Sequence, residues 1–409
     1  MGDHRTLGRF VAIAVALLGV TRPASGQAPA VGFDEFFRTL YGPAIRDVAA
    51  NGGPTLITRN WGGAGVLNGL LVAEAVTVPT SSNAGGFAWT YDSTLGTWSR
   101  AVDSFGSQFV ERAQTAGRHK ANFGFAFQRF TFDRLNGQPL AAAGVDASAE
   151  LNENLPPDRR LRVDEHASLS KADLTLATLY MNYGITPAFD VGVFLPTTSI
   201  ATEGSVRYTL RRNTPSLDLT RTVSASAQSN LVGPPVFRVK WNFIHRPAGG
   251  FALAWDFRPH SATPLGAGGG RVNAIGTFTT KAVNVHVNGG ASGFDCDASA
   301  PDVEACDALY DVFVAGGVDR AVTRKVTLSG DVLVHRFTLQ LSPVATTVPA
   351  DTVQSGSNRA VRTSRITAAL TGRINLWGNL LVTVAGMLTT STNGLSDRFT
   401  PVVGLDYAW

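Results

Sequence analysis

The chain has 409 residues, a formal charge of +4, 43 Gly and only 16% charged side chains. Its basic residues are scattered rather than clustered on one face, so the excess of positive charge does not point to nucleic acid. No stretch of about 18 uninterrupted apolar residues follows the N-terminal region, which excludes a transmembrane helix. The size allows two ordinary domains or one large all-β unit.

Residues 1–26 read as a secretory signal peptide. Basic His4, Arg5 and Arg9 precede an apolar run from Phe10 to Val20, and Ala24-Ser25-Gly26 supplies a small-residue cleavage site. The mature chain then starts at Gln27, outside the cytoplasm. Residues 27–118 form an N-terminal helix and hairpin region, expected in the periplasm. Phe33, Phe36, Phe37 and Leu40 fall at helical spacing, predicting an amphipathic helix over 33–49. It plugs a lumen, rests on a membrane surface or caps a barrel. Residues 85–100 read as a hairpin, and 106–115 as a further candidate strand.

From residue 119 the pattern changes to period two, the mark of a strand with two unlike faces. Strands are predicted near 119–133, 171–184, 188–198, 235–245, 250–258, 270–278, 282–291, 308–318, 324–338, 361–374, 379–391 and 398–409. Phe237, Val239, Trp241 and Phe243 alternate with Arg238, Lys240 and Asn242; Leu253, Trp255 and Phe257 alternate with Ala254, Asp256 and Arg258. Burying those charges in a dry core would be costly, whereas a watery lumen accepts them. Arg238, Lys240, Asp256 and Arg258 are therefore the candidate lumen-lining residues. Strands of about 10 residues suit a tilted crossing of a bilayer, and strands in lipid must close into a barrel. Short connections alternate with long ones at 134–170, 199–234, 259–269, 292–307 and 339–360, with a lesser one at 392–397, as between periplasmic turns and outer loops. The expected fold is an all-β transmembrane antiparallel barrel over 119–409. It has about twelve strands, or fourteen if 85–100 and 106–115 join the wall. Both chain ends would then lie in the periplasm.

The last strand, FTPVVGLDYAW, sets Phe399, Val403, Leu405, Tyr407 and Trp409 on one face. That face is expected to meet lipid, and the aromatic terminus resembles the signal read by the outer-membrane assembly machinery.

Two stretches carry a family resemblance. The first holds Ser104-Phe105-Gly106, Phe109, Glu111-Arg112-Ala113, Thr115, Gly117, Asn122-Phe123-Gly124 and Phe132-Asp133-Arg134-Leu135-Asn136-Gly137. The second holds Asn182-Tyr183-Gly184-Ile185-Thr186, Phe189-Asp190-Val191-Gly192-Val193 and Leu195-Pro196. Together they resemble bacterial outer-membrane proteins described as transporters of the phenol meta-cleavage pathway, distantly similar to long-chain fatty-acid channels. The resemblance implies a channel in the bacterial outer membrane that takes small hydrophobic or aromatic solutes by passive uptake.

Other chemistry has weaker sequence support. The chain lacks GxxxxGK[ST] and HExxH patterns, so no nucleotide, metal or other cofactor is expected. His166-Ala167-Ser168, His260-Ser261 and His335-Arg336 are the nearest hints of a nucleophile. A barrel enzyme acting on lipid would require a Ser, a His and an acid to converge at one rim. A structural or adhesive barrel with a filled lumen is the third reading. Asp158-Arg159-Arg160-Leu161-Arg162 sits in an outer loop, where Arg can pair with lipopolysaccharide phosphates or simply be solvated. Cys296 and Cys306 share the acidic loop 292–307 and, once exported, are expected to form a disulfide. Peptide mapping without reduction should recover the two cysteines crosslinked. Two freely alkylated thiols in protein from the native membrane would remove that expectation.

Overall fold

A computed structural model describes residues 33–53, 67, 70–71, 73–74, 77, 86–92, 97–100, 103–152, 154–246, 249–260, 268–295, 308–341, 347–348, 351–352, 359–390 and 394–409. All of them belong to one compact unit, Val31–Trp409. Residues 1–26, read above as a signal peptide, and both cysteines lie outside the described residues.

Helix α1 (Phe33–Ala50) comes first. The hairpin β1 (Trp89–Asp92) and β2 (Thr97–Arg100) forms its own two-stranded sheet. There follow β3 (Ala121–Phe132), the short β4 (Arg134–Leu135) and β5 (Gln138–Pro139), β6 (Val145–Leu151), β7 (Leu161–Thr186), β8 (Phe189–Arg212) and β9 (Leu217–Val232). Next are β10 (Val236–Arg246), β11 (Gly249–Arg258), β12 (Gly269–Thr279), β13 (Asn284–Asp295), β14 (Ala308–Thr323) and β15 (Val326–Leu341). The chain ends with β16 (Thr347–Val348), β17 (Asp351–Thr352), β18 (Arg359–Trp377), β19 (Leu380–Thr389), β20 (Leu395–Ser396) and β21 (Thr400–Ala408).

Twelve of these strands close a barrel. Its circuit runs β3, β21, β19, β18, β15, β14, β13, β12, β11, β10, β8 and β7, and β7 pairs back onto β3. Every wall pairing is antiparallel. The C-terminus completes the seam, Trp409 N donating to Ala121 O at 2.8 Å and Ala121 N to Trp409 O at 3.0 Å. Closure leaves no wall edge unpaired, which lipid demands.

The two faces of the wall are chemically opposite. Outward positions expose Trp241, Leu253, Trp255, Val314, Val332, Leu370, Val384 and Val403. Inward positions bury Asn242, Asn273, Asn288, Asp311, Asp331, Thr371, Thr383 and Asp406. Water would leave so large an apolar exterior uncompensated; a bilayer matches it. The protein is an outer-membrane β-barrel. Phe399 and Trp409, 55% and 69% exposed, lie on this apolar exterior. Phe125 shares the outward register but is only 3% exposed, flanked by Leu179 and Leu405 in adjacent strands.

The fourteen-strand sheet arises differently from the sequence expectation. β1, β2 and residues 106–115 stay out of the wall, and the two extra strands are β6 and β9. Residues 134–170 and 199–234, expected as loops, are largely strand. β7 and β8 run for 26 and 24 residues, far beyond the roughly 10 that cross a bilayer. Their distal halves pair with β6 and β9 into a four-stranded extension on the long-connection side. β8 pairs with β10 over Phe189–Phe194, then with β9 from Thr197. The change of partner coincides with Gly233-Pro234-Pro235, whose prolines have no N–H to offer a ladder.

Helix α1 rests on this extension. Phe36, Phe37, Leu40, Tyr41, Ala44 and Val48 bury one face against a cluster containing Leu161, Val163, Val206, Tyr208 and Leu210. Polar contacts fix it there. Tyr208 Oη donates to Asp47 Oδ2 at 2.6 Å, Arg221 pairs with Asp47 at 3.2 Å, and Tyr41 Oη donates to Glu165.

If Val332 faces the bilayer midplane, Val332→Arg should lower stability by about 2–4 kcal/mol in lipid vesicles, while Val332→Phe should be near neutral. Equal behaviour of the two variants in urea titrations would contradict the outward assignment.

Candidate functional site

Residues 104–117, Ser-Phe-Gly-Ser-Gln-Phe-Val-Glu-Arg-Ala-Gln-Thr-Ala-Gly, run inside the barrel toward the short-turn end. The segment joins no sheet, and beyond Trp89 N donating to Ala116 O at 3.2 Å its backbone groups need other partners. Wall side chains provide them. Phe105 N donates to Thr327 Oγ1 at 3.0 Å, Ala113 N to Thr277 Oγ1 at 2.8 Å, and Ala116 N to Asp190 Oδ2 at 2.9 Å. Asn288 pairs both ways with Glu111, accepting from its N–H at 2.6 Å and donating to its carbonyl at 2.8 Å. Arg373 Nη1 donates to Phe105 O at 2.6 Å, and Lys240 Nζ to the carbonyls of Arg112 and Gln114 at 2.7 and 2.8 Å.

The charges are arranged around Glu111. Its carboxylate meets Arg238 Nη1 at 2.8 Å and Lys240 Nζ at 3.2 Å, with all three side chains buried. Arg238 also engages both oxygens of Asp256. Arg238, Lys240 and Asp256 thus face the barrel interior and are joined there by Glu111, a residue the strand pattern gave no reason to choose. Arg258 lies on the same inward register, one step toward the long loops.

Serine and aspartate make a second set of clasps. Ser104 Oγ donates to Asp319, which also binds Asn284 and His286, and Ser107 Oγ donates to Asp331. Thr277 lies 3.0 Å from His286 Nδ1 and accepts from Ala113 N, so one relay links wall and plug. Ser104 and His286 both address Asp319. Nucleophilic catalysis requires the serine on the histidine and the histidine on the acid, and this order is different. His335 bonds Asp311 at 3.0 Å between the stacked rings of Phe313 and Phe337, deep inside rather than at a rim. His166 bonds Asp146 in the extension at 2.7 Å, while Ser168 faces Ser205.

Two glycines make room for the plug. Gly117 has φ +100°, and a Cβ there would sit 2.5 Å from Trp89 O. At Gly317 a Cβ would approach Val110 Cβ to 3.1 Å and Asp331 Oδ1 to 2.3 Å. Side chains larger than hydrogen at 317 would press on the plug.

The long-connection half of the lumen is occupied differently. Residues 67, 70, 71, 73, 74 and 77 are helical and buried. Leu67, Leu70 and Leu71 join a cluster with inward Phe130, Phe132 and Met387, and Glu74 pairs with Arg365. The interior therefore combines apolar side chains with a few charged ones toward the long connections, and is mostly polar and charged toward the short turns.

No protein-family profile matches the chain, and no curated protein sequence matches it. Among solved structures, an outer membrane channel from Pseudomonas putida F1 aligns with a TM-score of 0.40 at 11% identity, covering 73% of this chain and 98% of that one. The TodX monoaromatic hydrocarbon channel, as a deltaS2 mutant, gives 0.36 at 9% identity, covering 72% and 91%. A Pseudomonas aeruginosa FadL homologue gives 0.33 at 9%, covering 71% and 89%. Likeness at this level is not an argument about function.

Glu111→Gln keeps the shape but removes the charge that holds Arg238 and Lys240. Hydrogen bonds to charged groups contribute about 1.5–3 kcal/mol, so amide exchange over 104–117 should accelerate at least about tenfold. Exchange in β3 should not change. Equal protection of the segment in both proteins would show that Glu111 does not anchor it.

Proposed function

We propose that the protein is an outer-membrane channel for passive uptake of small hydrophobic or aromatic compounds, with residues 104–117 as its constriction. The observation that carries this reading is the set of large apolar side chains in the long-connection half, where Phe130, Phe132, Leu174, Leu176, Leu333 and Phe337 point inward among a few charged groups. A porin for hydrophilic solutes keeps a polar interior. An apolar entrance leading to a polar constriction suits a solute that leaves water at one end and returns to it at the other. The family resemblance of the 104–137 and 182–196 stretches agrees with this cargo.

The constriction is held by side-chain hydrogen bonds and ion pairs, while the wall closes without it. The plug can therefore shift and leave the barrel intact. Partners of the protein on this reading are outer-membrane lipid and lipopolysaccharide around the wall, the assembly machinery at the C-terminal strand, and the solute itself.

The filled lumen supports a second reading, a structural barrel that conducts nothing. Vesicles containing the protein should admit toluene or phenol faster than protein-free vesicles and should exclude sucrose. Equal entry of sucrose would make it a general porin. No enhancement for any solute, with Glu111→Gln also silent, would favour the structural barrel.

A further inference from the structure

We infer that a cavity between β8, β10, β11 and β12, on the long-connection side of the plug, binds a small aromatic carboxylate. The proposal names the solute class of the proposed channel and rests on that reading for its place on a solute path. The cavity has a volume of about 80 Å³. Its lining includes Arg238, Arg258, Arg271, Asp256, Phe194 and Phe294.

Charge is the first argument. Three guanidinium groups and one carboxylate line the space. Asp256 is already engaged on both oxygens by Arg238, whose third nitrogen goes to Glu111. Among the described residues no carboxylate lies within ion-pair distance of Arg271, and its Nε is buried without a hydrogen-bond partner. Asp311, on a neighbouring strand, is taken by His335. Arg271 is half-buried, and a buried donor such as its Nε left without an acceptor is costly. The Arg271 Nε therefore lacks an acceptor, and a guanidinium is best met by an anionic one.

Shape identifies the anion. A guanidinium presents a planar fork that matches the two oxygens of a carboxylate. The Arg271 guanidinium carbon sits 4.0 Å from the Phe313 ring centroid, which fixes the plane of the fork. Phe194 and Phe294 supply flat apolar walls to the same space, and Arg238 lies over Phe194 at 5.6 Å. Acetate or chloride would satisfy the charge and leave those walls unused. An uncharged arene would fill the walls and leave the Arg271 Nε without an acceptor. An aromatic ring bearing a carboxylate satisfies both.

The test is equilibrium dialysis of labelled benzoate against the purified full-length protein in detergent micelles, with benzamide as the uncharged isostere and acetate as the ringless anion. Benzoate should bind saturably, at least about tenfold more tightly than either comparison, one decade being a clear difference in affinity. Arg271→Gln should lower benzoate affinity by at least that factor and leave benzamide unchanged. Arg320→Gln, an exposed position at the short-turn end, should bind like the parent. Folding of each variant is checked by its gel mobility with and without heating. If Arg271→Gln does not fold, Arg258→Gln serves in its place, and the benzoate–benzamide contrast needs no variant. Equal binding of benzoate and benzamide, or undiminished binding in the folded variant, overturns the site. Vesicle flux separates this outcome from the channel reading. Toluene entry without selective benzoate binding removes the site and keeps the channel; benzoate binding without any flux keeps the site and removes the channel.

Discussion

A chain segment that crosses the inside of a barrel has no neighbouring strand, so its peptide groups must be paired by side chains or water. Much of the interior chemistry of this protein answers that constraint. Thr277, Asn288, Thr327, Asp190, Arg373 and Lys240 each reach a backbone group of residues 105–116. Glu111, set between Arg238 and Lys240, converts that set of hydrogen bonds into a charged anchor. The wall could close without the plug, but these inward polar residues would then be left to water. Plug and wall are complementary in the way two sides of an interface are, although they belong to one chain.

This arrangement divides the lumen into two chemical regions. On the long-connection side, leucines and phenylalanines of the wall meet Leu67, Leu70 and Leu71. On the short-turn side, aspartates, asparagines and threonines clasp the plug. Arg238 stands where the two meet, bonded below to Glu111 and beside to Asp256, with the arginine-lined cavity above it. A solute entering from the apolar side would meet cations and aromatic rings before it met the constriction. On the proposed channel reading, selectivity and opening are set by adjacent residues.

The wall was largely legible in the sequence, because a strand with lipid on one side and polar contacts on the other must alternate. Phe237 to Phe243 against Arg238 to Asn242 is enough to assign both faces of β10. The extension was missed for a related reason. Thr202, Gly204, Val206, Tyr208 and Leu210 also alternate in burial, but their outward partners are polar, so the contrast that marks a membrane strand is absent. The plug could not be read locally at all. Its Ser, Gly and Gln residues show no period, and its partners lie far along the chain, Asp319 being 215 residues from Ser104. The anchor Glu111 was quoted only as part of a resemblance, and Arg271 gave no signal beyond its place on an inward register. Such residues become visible when the sheet closes and brings strands from both halves of the chain around one axis.

The central claim is that residues 104–117 lie inside the barrel against β14 and β15. A Cβ at Gly317 would lie 3.1 Å from that of Val110 and 2.3 Å from Asp331 Oδ1, so a shift of a few tenths of an ångström with the carboxylate turned aside brings the pair into the spacing of about 3.5–4.5 Å that a disulfide spans. The most direct measurement is therefore crosslink mapping of Val110→Cys with Gly317→Cys in a background carrying Cys296→Ser and Cys306→Ser, made on protein oxidised in its native membrane. The account predicts one intramolecular disulfide between positions 110 and 317. Free thiols at both positions, in a barrel that is folded by heat-modified mobility, would contradict it.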